Sequence, residues 1–120
     1  MRRSSTGYQA GLAAEEAAAR SYEAEGGEIV ARRWRSPAGE IDLVVRFPGL
    51  VVFVEVKARR GHGDAAAAIS QAQLRRIGAA AQIWLAEHGT ADLDCRFDAV
   101  LVDGKGRCAR VENAASFDGL

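Results

Sequence analysis

Tyr8, Leu12, Ala19 and Tyr22 recur at alternating steps of four and three, with Glu15 in the same series. That spacing puts them on one face of a helix over residues 8–25. Glu16, Glu23 and Glu25 fall off the stripe toward solvent, so Glu15 is a carboxylate aimed where a core side chain belongs. Rotating this Ala-rich helix by one residue would return Glu15 to solvent, which is the plainer alternative. Gly26 and Gly27 end the helix, and a strand through Ile29, Val30 and Trp34 follows.

The apolar period then changes to two. Two β-branched runs, 40–47 and 50–56, are separated by Pro48 and Gly49 and predict an antiparallel hairpin. Alternation places Glu40, Asp42, Val44 and Arg46 on one side of the first strand and Ile41, Leu43 and Val45 on the other. On the second strand Val51, Phe53, Glu55 and Lys57 share a side, opposite Leu50, Val52, Val54 and Val56. A two-residue turn makes residues whose numbers sum to 97 face each other, pairing Asp42 with Glu55 and Glu40 with Lys57. Pro-Gly suits a type II turn, whereas two-residue hairpins prefer the primed types. A slip of two residues would keep the face and separate the pair.

Residues 58–64 hold two glycines and no periodic apolar positions, and predict a mobile loop. A helical stripe of Leu74, Ile77, Ala81, Trp84, Leu85 and His88 covers about residues 65–88, with Arg75, Arg76 and Gln82 off it. Ser70 with Gln73 fits a capping box, which places a true helix start inside that span. Strands over 96–102 and 107–112 flank a turn at 103–106, and 113–120 is expected as a surface tail with Phe117 as its anchor. The expected architecture is α/β, one domain over 1–120 with flexible ends at 1–7 and 118–120. Its central mixed sheet of about five strands is flanked by helices.

At 120 residues and 12.8 kDa the chain supports a single core. Hydrophobic residues at 48 % and charged residues at 27 % argue against disorder and fibrous repeats. Sixteen basic and sixteen acidic side chains cancel, so any attraction for nucleic acid needs a local patch. Residues 32–60 offer one, with seven basic side chains against three acids. Cys95 and Cys108 lack the spacing of a zinc or redox motif and are expected as reduced thiols. With no apolar run near the ~18 residues of a membrane span, and no signal-type apolar segment, the expectation is a soluble cytoplasmic protein.

Two carboxylates facing each other across a ladder weaken it by up to ~1 kcal/mol, unless a cation bridges them. Oxygen ligands with positions left for water and phosphate describe a magnesium site, which polarises a phosphodiester and activates water. Beside it, Lys57 could orient the attacking water, help deprotonate it, or neutralise charge on the phosphate.

Glu15, GEID at 39–42, VFVEVKAR at 52–59, RFD at 96–98 and ENAASF at 112–117 together resemble the YraN family of bacterial proteins over about residues 8–117. That family is itself similar to the PD-(D/E)XK nuclease superfamily, especially archaeal Holliday junction resolvases. The resemblance implies a restriction-endonuclease-like three-layer core and a magnesium-dependent endonuclease, with manganese as substitute. It also implies DNA as substrate, including branched DNA such as Holliday junctions, and a homodimer with no organic cofactor and no membrane partner. Position by position, it implies that Asp42 and Glu55 hold the metal, Lys57 serves the nucleophile and Glu15 completes the acidic cluster. The sequence departs from the pattern at Arg33, where Asn is usual, at Gln73, where Lys is usual, and in lacking a proline before Asp42.

Glu40 has three open roles: support behind the metal ligands, partner of Lys57, or strand-start cap. Arg59, Arg60 and Arg35 are the candidate phosphate contacts, Arg59 first because it follows the motif, against the plainer reading of solvated arginines. Asp98 either approaches the cluster or pairs with Arg96. Gln73 is most simply a capping residue, Trp34 and Trp84 are core, and His62 and His88 are surface. The rival function is a nucleic-acid-binding module without catalysis, its acidic cluster vestigial.

Overall fold

The computed structural model describes residues 2–58 and 70–115, with side chains for 11–58 and 70–114. Its elements are α1 (Arg2–Glu23), β1 (Glu28–Ser36), β2 (Gly39–Phe47), β3 (Leu50–Ala58), α2 (Gln71–Glu87), β4 (Asp94–Val102) and β5 (Cys108–Ala115). The order α, three strands, α, two strands is the expected one. Among the described residues, no helix is long and apolar enough to cross a membrane.

The strands form one mixed sheet in the order β1-β2-β3-β4-β5. Neighbours are antiparallel except β3 and β4, which run parallel because α2 lies in the connection between them. Each face buries its own helix. Ala14, Ala18, Ala19 and Tyr22 of α1 pack on Leu43, Val45, Val52, Val54, Val100 and Val102. On the other face, Ile77, Ala80, Ala81 and Trp84 of α2 pack on Val44, Val51, Phe53 and Phe97. The three central strands are therefore apolar on both sides, and the result is a three-layer α/β/α core.

The hairpin takes the anticipated register, from Phe47↔Leu50 to Leu43↔Val54. Pro48 cannot adopt the positive φ that a primed turn needs at its first position, and Gly49 at φ +74° supplies it at the second, so the turn resembles type II.

Several expectations are corrected. The buried stripe of α1 is centred on Ala14, Ala18 and Tyr22, leaving Leu12 39 % exposed; small alanines let the helix lie close to the sheet on a face that side-chain size alone did not mark. α1 also begins at Arg2, before the periodic stripe. α2 begins at Gln71, with Ser70 Oγ accepting the Gln73 amide at 3.1 Å, as the capping signal indicated; residues 65–69 of the expected span lie outside the described residues. The last strand runs on through Asn113 to Ala115, so the surface tail does not begin at 113. Residues 59–69, which include most of the loop expected over 58–64 with Arg59, Arg60 and His62, lie outside the described residues, as does the expected anchor Phe117. Neither Cys95 nor Cys108 forms a disulfide.

Candidate functional site

The site forms where β2 and β3 cease to pair. Beyond Leu43↔Val54 no further register pair joins them. Continued pairing would have given the Val56 amide to the β2 backbone; Asp42 takes it instead, its Oδ2 accepting Val56 N–H at 2.8 Å. The aspartate side chain thus closes the open end of the ladder and is held against β3.

β1 undergoes a matching irregularity. Arg32 pairs with Leu43 and Trp34 with Ile41, and Arg33 between them has φ +49°. This is left-handed backbone that asparagine tolerates better than most side chains. Strict alternation put Ile41 beside Leu43 and Val45, but Ile41 packs with Val44 on the α2 face, and Trp34 joins it there. The backbone turns over at Arg33 and Asp42, which period-two counting cannot detect.

Glu55 comes from β3 on the α2 side, as alternation required, and is only 8 % exposed. Its Oε2 accepts the Gln73 side-chain amide at 2.5 Å and lies 3.2 Å from Lys57 Nζ. Burial, followed by the negative charge of Glu55, pushes the Asp42 carboxyl up to about 7, against the lowering effect of the Val56 amide. A cavity of about 200 Å³ opens over the pair, lined by Gly39, Glu40, Asp42, Glu55, Gln73, Arg76 and Ile77.

Asp42, Glu55 and Lys57 are therefore brought together, with Glu40 on the same cavity. The predicted cross-strand pairings of Asp42 with Glu55 and of Glu40 with Lys57 fall beyond the end of the ladder and are not realised: Asp42 takes the Val56 amide, Glu40 binds Arg35 at 2.9 Å and Lys57 turns to Glu55. Arg35 accordingly lies at the rim, paired with an acid. Glu15 does point inward, but toward β1, where Arg33 Nε donates to its Oε1 at 2.8 Å. It does not line the cavity. Among the described residues, no group of three or more His, Cys, Asp or Glu side chains is placed to hold a metal ion. Asp98 belongs to the opposite face, bonded to Arg96 and to Tyr22 of α1.

The basic stretch is also less basic in three dimensions than along the chain. Arg32 pairs with Glu16 and Arg33 with Glu15, so α1 offsets β1.

Sequence reasoning missed the Gln73 side chain, which it assigned to helix capping. Only the backbone half of the capping box is present; the amide side chain reaches Glu55. The signal was available, because Gln73 precedes Ile77, Ala80, Ala81 and Trp84 at helical spacing and so begins the buried stripe.

The fold and site define a small three-layer α/β protein with a half-buried carboxylate pair and a lysine at the parting of two antiparallel strands. The chain belongs to the uncharacterised protein family UPF0102, the YraN family, whose profile matches residues 14–102. It is 48 % identical over 108 residues to a UPF0102 protein of Cereibacter sphaeroides, covering 89 % of this chain and 92 % of the relative. A Ruegeria pomeroyi relative is 47 % identical over 113 residues, covering 93 % and 92 %. One from Azorhizobium caulinodans is 45 % identical over 119 residues, covering 98 % and 91 %.

Proposed function

We propose that the protein is a magnesium-dependent endonuclease that hydrolyses DNA phosphodiester bonds, with branched DNA such as a four-way junction as its preferred class and a homodimer as its working form. The observation that carries this reading is the Asp42–Glu55 pair with Lys57 beside it, at the one place where the hairpin ladder opens.

The donor set suits a hard divalent cation: two carboxylates in mutual repulsion, one of them holding its proton up to about pH 7. Asp42 and Glu55 would hold it, their Oδ2 and Oε2 already oriented by protein contacts (Val56 N–H on Asp42; Gln73 and Lys57 on Glu55). Bound there, magnesium supplies Lewis-acid polarisation of the phosphodiester and a more acidic water. The Val56 amide and Gln73 fix the two carboxylates in orientation. Lys57, drawn to Glu55, places a positive charge where negative charge grows on the phosphate. Glu15 would reach the pair only by releasing Arg33.

A homodimer follows from substrate symmetry, since paired cuts on a two-fold junction call for two sites. Glu15 held by Arg33 and Glu55 held by Gln73 and Lys57 favour the second reading, a nucleic-acid-binding module without catalysis.

Labelled single-stranded, duplex and four-way-junction DNA, incubated with magnesium or manganese, separates the two. The expected result is cleavage by the native protein, strongest on the junction, and loss of at least a thousandfold in Glu55→Ala with DNA binding retained. Cleavage that survives in Glu55→Ala would refute the assignment of the site, and junction binding without cleavage by the native protein would establish the binding module.

A further inference from the structure

We infer that Arg76, on the second turn of α2, is the residue that grips the substrate phosphate over the carboxylate pair. The inference rests on the proposed nucleic-acid substrate and adds a contact that neither the motif nor the charge pattern had marked; the helical stripe had placed Arg76 simply off the buried face.

Three observations lead to it. First, Arg76 lines the cavity that holds Glu40, Asp42 and Glu55. A phosphodiester entering there meets carboxylates, so some cation at the wall must favour its approach.

Second, the other cations nearby are already engaged. Lys57 lies against Glu55, Arg35 against Glu40 and Arg33 against Glu15. Arg20, Arg32, Arg96, Arg107 and Arg110 have acidic partners as well. Among the arginines whose side chains are described, only Arg46, Arg75 and Arg76 have no ion pair, and of these only Arg76 lines the cavity. Its guanidinium can therefore offer its planar fork to two phosphate oxygens without breaking an existing contact.

Third, the stem of Arg76 is fixed. Gly39, at the start of β2, packs beside α2, so that a Cβ there would be in ordinary van der Waals contact with Arg76 Cβ at 3.6 Å. Three residues earlier, Gln73 ties the same helix to Glu55. The helix is thus anchored to both sides of the cavity, and Arg76 leaves it at a set distance from the carboxylates, with its head exposed to an incoming ligand.

The test is equilibrium binding of a fluorescent four-way junction and a duplex, in calcium to suppress turnover, over a salt series. Native protein, Arg76→Ala, Arg76→Lys and the neighbouring Arg75→Ala are compared. Arg76→Ala is expected to weaken binding about tenfold on both DNAs and to lower the slope of log affinity against log salt by about one. Arg76→Lys should restore the slope but only part of the affinity, because a point charge replaces a fork. Arg75→Ala should stay within about twofold of the native protein. Equal effects of Arg75→Ala and Arg76→Ala would overturn the assignment while leaving the nuclease reading intact. Absence of any DNA binding by the native protein would remove both. Thermal melting of each variant checks the fold, which an exposed side chain is not expected to affect.

Discussion

Asp98 and the Asp42–Glu55 pair occupy adjacent parts of one sheet. Asp98 pairs with Val54 in the parallel ladder, one residue from Glu55. It faces α1 and they face α2. Asp98 is fully buried and every lone pair is used: Oδ1 accepts Arg96 Nε at 2.8 Å and the Asn113 amide at 3.0 Å, while Oδ2 accepts the Tyr22 hydroxyl at 2.7 Å and a second Arg96 nitrogen at 2.9 Å. The consequence shows on its partner, since burial first, and then the bond to the Asp98 carboxylate, pushes the Tyr22 hydroxyl to a higher pKa. Asp42 receives one backbone amide and faces another carboxylate, and its carboxyl is pushed up to about 7. A saturated acid is a structural tie; an unsaturated pair opening on a cavity is a place for something else to bind.

The sharpest way to break this comparison is to delete each acid in turn. Asp98→Ala strands a half-buried arginine and a buried tyrosine hydroxyl, and should cost about 3–5 kcal/mol in urea unfolding. A loss below about 1 kcal/mol would show that the saturated network is not structural.

Asp42→Asn should act in the opposite direction. Because the folded carboxyl titrates near 7 and the unfolded one near 3.8, the folded state binds the extra proton between those values. The contribution of Asp42 to the stability of the metal-free protein is therefore fully present below about pH 4 and is lost as pH rises through 7. Asn still accepts the Val56 amide and removes the repulsion, so at pH 8 in chelator the variant should be more stable by on the order of 2 kcal/mol, with a flatter pH profile. Magnesium should raise the melting temperature of the native protein and leave that of Asp42→Asn unchanged. The idea fails if the native profile is flat from pH 5 to 8.

The mildest probe is Tyr22→Phe, which removes one of four donors to Asp98 and should cost about 1 kcal/mol without altering the pH profile around 7.

Much of this was legible in the chain because the rules involved are local. Pro48-Gly49 set the register as far as Leu43↔Val54, and alternation kept Glu55 and Lys57 on one side; Asp42 meets Glu55 beyond the end of the ladder, not as its cross-strand partner. Ser70 marked the start of α2. What escaped were contacts between elements distant in sequence. The Gln73 side chain was assigned to its own helix, because a capping box explains it without reference to a strand 18 residues earlier. Glu15 was correctly turned inward, but its partner Arg33 depends on how α1 crosses β1. Asp98 was left between two roles until the face occupied by Tyr22 decided it. Ile41 changed sides because a backbone reversal carries no side-chain signature.

That reversal has a second consequence. Among the described residues, β1 and β5 are the edge strands of the sheet, where unpaired amides and carbonyls could recruit another chain and begin aggregation. Arg33 and Asn113, the two non-glycine residues with positive φ among those described, lie one on each edge strand. Each edge also carries a register shift, between Ile29 and Ala31 on one side and opposite Phe97 and Ala99 on the other. Neither rim is a straight template. The kink that helps to turn Asp42 toward β3 also keeps a two-edged sheet from growing by addition of its own copies.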